Sequence, residues 1–315
     1  MTTAQAVEAE RFQTDRVLTL SGGHAVHDTY TAFLAPLLPL FIANLALSNT
    51  EAGLLSVFMQ GPSLLQPFIG HLADRVSLRF LVILAPTVTA AMMSLLGVAP
   101  SYGVMALLLL VTGLSSAGLH AVGPAMTGNL SGRSLGRGMG FWMVGGELGR
   151  TLGPILIVSV VQWLTLQSTP WLMIGGLLAS AILIFRLRNV PGRPPNAGQG
   201  LPWRQALRRM GPLLGPLVGF IIVRSFMSAA LTTYLPTFLS EEGADLWFAG
   251  AALSVLEAAG VVGALAGGAL SDRLGRRWVL FASMLAAPLL MFVFLASSGW
   301  LRFPLLLLLG FTALS

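Results

Sequence analysis

The sequence predicts an all-α membrane protein, built as two groups of spanning helices joined by one polar cytoplasmic linker. Composition and pattern both carry that expectation. Of 315 residues, 55% are hydrophobic and 10% are charged, and the mean hydropathy is +0.80. A soluble domain carries roughly 25% charged residues, so a water-facing fold of this size could not cover its surface. The apolar residues also fall into runs of about 20, the length a helix needs to cross a hydrocarbon core near 30 Å.

Spans are predicted at residues 17–45, 52–73, 80–98, 102–128, 139–165, 169–187, 212–239, 247–270 and 279–297, with a tenth beginning at Leu301. The breaks LSNTE, DRVSLR, APSYG, SGRSLGRG, LQSTP and SEEGAD hold turn residues or charge. Arginine falls on alternate connections: Arg75 and Arg79, then Arg133 and Arg137, then Arg186 through Arg209, then Arg273, Arg276 and Arg277, with Arg11 and Arg16 ahead of the first span. The opposite side has Arg302 beside Glu51, Glu241, Glu242 and Asp245. By the positive-inside rule the N-terminus is cytoplasmic, in a membrane of the bacterial inner type. The first 16 residues are polar and carry no cleavage-site pattern, so the first span is expected to act as its own insertion signal.

Other classes are excluded. The net charge is +6, but the 18 basic residues, all arginines, are not gathered on one soluble face, so no nucleic-acid partner is expected. With no cysteine there is no disulfide framework and no thiolate metal site. No cofactor is expected. Ser116 and His120 lie four residues apart on one helix with no oxyanion donors in view, which reads as packing rather than catalysis, so the chain is not an enzyme.

The stretch RNVPGRPPNAGQGLPWRQALRRMG, 188–211, is the only long polar segment. It divides the chain into a six-helix half over 1–188, a linker over 189–211 and a second group over 212–315 holding helices 7 to 10. Trp203 to Met210 within it are expected to form a short helix on the membrane surface.

The two halves share a signature. GHLADRVSLR at 70–79 and GGALSDRLGRR at 267–277 align at an offset of 198 residues, so that Gly70, Leu72, Asp74, Arg75 and Arg79 fall on Gly268, Leu270, Asp272, Arg273 and Arg277. Internal repetition of this kind builds transporter folds. Here the sequence resembles the major facilitator superfamily, whose loop signature is Gly-x-x-x-Asp-Arg-x-Gly-Arg-Arg. The second copy matches through Gly268, Asp272, Arg273, Gly275, Arg276 and Arg277, whereas the first has Ser77 and Leu78 in place of a glycine and an arginine. GHAVHDTYTAFLAPLLPLF at 23–41 and the stretch 118–154, with its Gly-Gly-x-x-Gly-x-x-x-Gly-Pro fifth helix, resemble the fosmidomycin-resistance efflux family. The resemblance implies two six-helix halves and secondary active transport of small molecules, with proton-coupled efflux of a drug or metabolite as the leading expectation. A facilitator or importer on the same fold, or a non-transporting membrane protein, are the alternatives. It also implies a cytoplasmic gating role for the two loop copies, with Asp74 and Asp272 latching onto helix N-termini and arginines of the opposite half. The fifth helix departs from the antiporter motif at Ile157 and Val158, and Leu114 stands where drug/proton antiporters carry a fourth-helix arginine.

Ionisable residues inside the membrane cost about 2.5–3.5 kcal/mol each on insertion scales and mark function by default. At 1.5 Å rise per residue, Asp28 and Arg150 lie about 16 Å deep, Glu147 about 12 Å, and Arg224 and Glu257 about 15–17 Å. Helices 3, 6 and 9 hold no ionisable residue in their apolar cores. The resemblance implies that those helices stand outside while the others line a cavity. Two readings of Glu147 and Arg150 stay open: mutual neutralisation at i, i+3 on one helix face, or a cavity where Glu147 exchanges a proton while Arg150 binds an anionic group. His24, His27 and Asp28 share one face of helix 1. Two histidines and a carboxylate suit zinc, but no partner set on another helix is evident, so no metal site is assigned and a proton relay or substrate contacts are preferred. His71 and His120 are read as gate or interface residues, and Arg224 and Glu257 as a pair across helices 7 and 8. The small-residue face of 258–270 is read as close packing. The expected partners are lipid, protons and a small, possibly anionic, solute. The final run from Leu301 would rise only about 22 Å, so the chain is expected to stop within helix 10 of twelve.

Overall fold

The computed structural model describes residues 11–190 and 203–314, apart from the side chains of residues 203–210, 212, 213, 216, 268, 269, 272 and 276. Among the described residues it is helical throughout. Two compact units result, residues 1–199 and 200–315. Residues 191–202 of the linker lie outside the described residues.

In the first unit, span one is α1 (Thr14–Thr31) and α2 (Leu34–Leu45), separated at Ala32 and Phe33. Pro36, at the third position of α2, has no N–H to give to the preceding turn, which is why the helix bends there. Span two is likewise broken: α3 (Asn49–Gln60), a 3₁₀ turn over Gly61–Leu65 and α4 (Gln66–Ala73), with Pro62 and Pro67 at the joints. A capping box starts α3, the Ser48 hydroxyl accepting from Glu51 N–H and the Glu51 carboxylate from Ser48 N–H. Then follow α5 (Arg79–Leu95), α6 (Tyr102–Leu130), α7 (Leu135–Trp163) and α8 (Met173–Leu187). The Ser101 hydroxyl caps α6 by accepting from Val104 N–H.

The packing that matters most joins α1 to α7. Gly145, Gly149 and Gly153 of α7 lie against the backbone carbonyls of Ser21, Ala25 and Thr29, and Gly146 lies against the His24 ring. The glycine motif is thus a seam that lets two helix backbones meet without side chains between them. Beside it, Val17, Leu20, Val82, Leu119, Val122, Trp142 and Leu183 make the buried core. A Cβ at Gly149 would stand 2.8 Å from Asp28 Cβ and Thr29 N, where only helix displacement gives relief. Gly149→Val is therefore expected to lower the melting temperature in detergent by the equivalent of about 1–3 kcal/mol of overpacking. Gly140→Ala, on the same helix with nothing within 4 Å of a Cβ, should not. Equal melting temperatures would mean the seam opens at no cost.

In the second unit, α9 (Trp203–Glu241), α10 (Leu246–Leu274), α11 (Arg276–Ala296) and α12 (Arg302–Ala313) follow. The expected surface helix at Trp203–Met210 is helical but runs unbroken into span seven. A proline inside a helix loses its own N–H and crowds the preceding turn, which bends a helix without always ending it, and α9 runs on through residue 212. Gly260, Gly263 and Gly310 bring α10 and α12 together: Gly263 meets the Phe311 backbone, and Gly310 meets the Leu256 carbonyl. Gly275, with φ +89°, makes the sharp turn between α10 and α11. No non-glycine in the first loop copy has positive φ, so Ser77 sits in a different turn.

Candidate functional site

The spacing of His24, His27 and Asp28 on α1 places all three on one side, and all three are buried. His24 Nε2 is 3.3 Å from Asp28 Oδ2, and His27 Nε2 is 3.9 Å from Asp28 Oδ1. The structure adds His120, from α6. Its Nε2 lies 3.3 Å from His24 Nε2 and 3.8 Å from Asp28 Oδ1. His120, read from the sequence as a gate or interface residue, thus stands where α6 meets α1. Its depth was available in the sequence: His24 lies ten residues after Thr14 and His120 ten residues before Leu130, about 15 Å from the same membrane face on helices of opposite direction.

Fixed neighbours orient each ring. His24 Nδ1 is 2.9 Å from the Trp142 carbonyl, and the His24 ring stacks on the Trp142 indole at 4.0 Å. His120 Nδ1 is 2.9 Å from the Ser116 carbonyl. A carbonyl only accepts, so both Nδ1 atoms carry the hydrogen, and in the neutral rings both Nε2 atoms are lone pairs. His27 Nδ1 is 3.0 Å from Thr89 Oγ1, whose own hydrogen goes to Ser115 Oγ at 3.2 Å. Its Nδ1 is therefore also the donor, and its buried Nε2 has no hydrogen-bond partner among the described residues. Three imidazole lone pairs and a carboxylate thus converge, a set of acceptors with no donor. Ser116 Oγ reaches His120 Nδ1 at 3.2 Å, but that nitrogen is a donor and cannot serve as a base for the hydroxyl.

On α7, Arg150 lies about 100° and Glu147 about 160° around the helix from the glycine seam. Arg150 Nη2 donates to Glu147 Oε1. Unlike the histidine cluster the pair is partly open, with side-chain exposures of 19% for Glu147 and 43% for Arg150. In the second unit Glu257 of α10 is buried and Arg224 of α9 half-buried.

The loop copies are placed as follows. The Gly70 carbonyl accepts from Asp74 N–H at 3.1 Å, and Asp74 and Arg75 are exposed at the end of α4. Arg79 Nη1 donates to the Arg188 and Val190 carbonyls at 3.2 and 2.9 Å, neutralising the end of α8. Arg273 and Arg277 are exposed; the side chains of Gly268's neighbours Asp272 and Arg276 lie outside the described residues.

The profile of the Major Facilitator Superfamily matches residues 20–315. The chain belongs to that superfamily. It is a multi-pass membrane protein of a transporter family, and not an enzyme. Among relatives in this superfamily, the fosmidomycin resistance protein of Escherichia coli K12 is 25% identical over 288 residues, covering 89% of this chain and 71% of that protein. A probable nitrate/nitrite transporter, NarK2 of Mycobacterium tuberculosis, is 28% identical, covering 82% of this chain and 67% of its own length. A solved bacterial homologue of the human lysosomal transporter Spinster superposes with a TM-score of 0.75 at 17% identity, covering 97% of this chain and 73% of that one.

Sequence reasoning missed His120, Trp142, Thr89 and Ser116 as parts of the cluster. Only the rotation of α5, α6 and α7 about their axes reveals them, and in a helix apolar on every side no amphipathic stripe reports that rotation.

Proposed function

We propose that the chain is a secondary active transporter that exports a small anionic or amphipathic solute by alternating access, with its N-terminus cytoplasmic and with protons as the coupling ion. Glu147 is the proton acceptor and Arg150 the contact for the solute's anionic group. The observation that carries this reading is the partly open Glu147–Arg150 pair on α7. A sealed pair would be structural. An accessible one can be taken apart, because a proton on Glu147 removes the charge that Arg150 faces there, and an anion on Arg150 loosens its hold on the carboxylate, which can then accept a proton. The relatives' names support the direction and the charge: one confers fosmidomycin resistance, and the other is described as moving nitrate and nitrite. Asp74 and Asp272 act as latches at the cytoplasmic face, and Arg224 and Glu257 are the charged groups with which the second half serves the solute or the proton.

The test uses the full chain in proteoliposomes with fosmidomycin and nitrate as probes. Transport of at least one is expected to follow an imposed pH gradient and to collapse with a protonophore. Arg150→Gln should raise KM about tenfold to a hundredfold, the worth of one charge-assisted hydrogen bond at about 1.5–3 kcal/mol. Transport indifferent to the pH gradient would establish a facilitator instead, and an unchanged KM would remove Arg150 from the solute site.

A further inference from the structure

We propose that His24, His120 and Asp28 form a binding site for a divalent transition-metal ion of the zinc class, with ligands from α1 and α6. The site lies in the first unit and does not depend on the transport reading.

The geometry points to a cation. His24 Nε2 and His120 Nε2 are both lone pairs, yet they face each other at 3.3 Å. Neither can donate to the other while its Nδ1 hydrogen is held by the Trp142 and Ser116 carbonyls. Asp28 adds a carboxylate, its Oδ2 3.3 Å from His24 Nε2 and its Oδ1 3.8 Å from His120 Nε2. Two neutral lone pairs and a carboxylate in contact repel one another unless a positive centre lies between them.

Size and chemistry select the ion. Tetrahedral ligands at about 2.0–2.1 Å from zinc stand about 3.3 Å apart, which matches the His24–His120 and His24–Asp28 Oδ2 separations, while His120 and Asp28 Oδ1, at 3.8 Å, would draw together on binding. Imidazole nitrogens favour zinc, copper, nickel and cobalt over magnesium and calcium, which take oxygen. The arrangement around the ligands is also that of a metal site. Each ligating histidine gives its other ring hydrogen to a backbone carbonyl, which fixes the tautomer and raises basicity at Nε2. His24 is further held between the Trp142 indole at 4.0 Å and the bare face of Gly146, where a Cβ would come within 2.6 Å of the His24 ring and 3.0 Å of Asp28 Oδ2.

A second observation points the same way. His27 is fully buried, and its Nε2, 3.9 Å from Asp28 Oδ1, is a lone pair without a hydrogen-bond partner. A lone proton on His24 would satisfy the pair at its own contact and leave that third nitrogen as it is. A divalent ion would bind His24, His120 and Asp28 together and place positive charge beside the carboxylate that His27 Nε2 also faces. Three protein ligands leave one tetrahedral position open, and His120, with 31% of its side chain exposed, gives the ion a way in and out. The site is thus of the exchangeable kind.

The experiment is calorimetric titration of the purified full chain in detergent with Zn²⁺, paired with the visible ligand-field spectrum of bound Co²⁺. One equivalent of Zn²⁺ is expected to bind and Co²⁺ to give an intense tetrahedral spectrum, with no response to Mg²⁺. His24→Gln and His120→Gln should each weaken Zn²⁺ at least about tenfold, while His71→Gln, altering an exposed histidine of α4, should not. His120→Gln, at a half-exposed position, keeps the test valid if His24→Gln fails to fold. No saturable binding, binding unaffected by His24→Gln and His120→Gln, or an octahedral Co²⁺ spectrum would each overturn the site. Because the readout is binding, a chain that transports without binding zinc refutes this inference alone.

Discussion

Replacing Glu147 by glutamine is expected to abolish the coupling of transport to the pH gradient while leaving the solute site occupied. Glutamine keeps the shape of the side chain and an oxygen that accepts from Arg150, so the contact on α7 survives. What it loses is the ability to take up and release a proton. Arg150, no longer neutralised by a full negative charge, should hold an anionic solute at least as tightly as before. Proton movement per solute should fall to zero, read with a pH dye sealed inside proteoliposomes during fosmidomycin flux, with KM equal to or below the wild-type value. If the pair is only a structural i, i+3 ion pair, the two readouts reverse: coupling stays, and the melting temperature falls. An i, i+3 pair at a surface is worth about 0.2–0.5 kcal/mol, too little to explain two charges at this depth against an insertion cost of several kcal/mol. That imbalance is why coupling is the expected casualty.

The spans were legible because the bilayer imposes one length on every helix and leaves composition to mark the ends. Residues 80–98 and 102–128 became α5 with its 3₁₀ end and α6 almost unchanged. The bend at Ala32–Phe33 and the break at Gly61–Pro62 follow from proline, yet the same residue at 212 leaves α9 intact. Proline marks where a backbone hydrogen bond is lost, and packing decides whether the helix parts. In the candidate site, the carriers of charge were visible one by one, since a charge in an apolar run cannot be hidden. Their grouping was not. Asp28 and His120 are 92 residues apart and meet where α6 packs on α1, while Gly145, Gly146, Gly149 and Gly153 let α7 lie flush on α1 and carry Trp142 against His24. The glycines were read from the sequence as a family motif; what they bring together is a property of three packed helices.

Asp28→Asn is expected to stabilise the chain and impair it at once. The wild-type cluster sets a carboxylate against three imidazole lone pairs, with no donor among them once chelator has removed any metal. Asparagine removes the buried charge and supplies an NH₂ group at the position from which Asp28 Oδ2 lies 3.3 Å from His24 Nε2. Each new hydrogen bond is worth about 1 kcal/mol, and loss of an uncompensated charge in the membrane adds to it. Each kcal/mol moves the melting temperature by about 2–4 °C in a domain of about 150–250 residues and by less in a chain of 315, so a rise of a few degrees is expected by thermal unfolding in detergent with chelator. Transport in proteoliposomes should fall at least about tenfold, and Zn²⁺ should no longer bind. The sign of the thermal shift is the decisive quantity. A fall would mean that Asp28 is already paired with an imidazolium in the resting protein, and the acceptor-only description of the cluster would be wrong. A rise together with lost transport would mean that the chain keeps an unfavourable charge on α1 because its function requires one there.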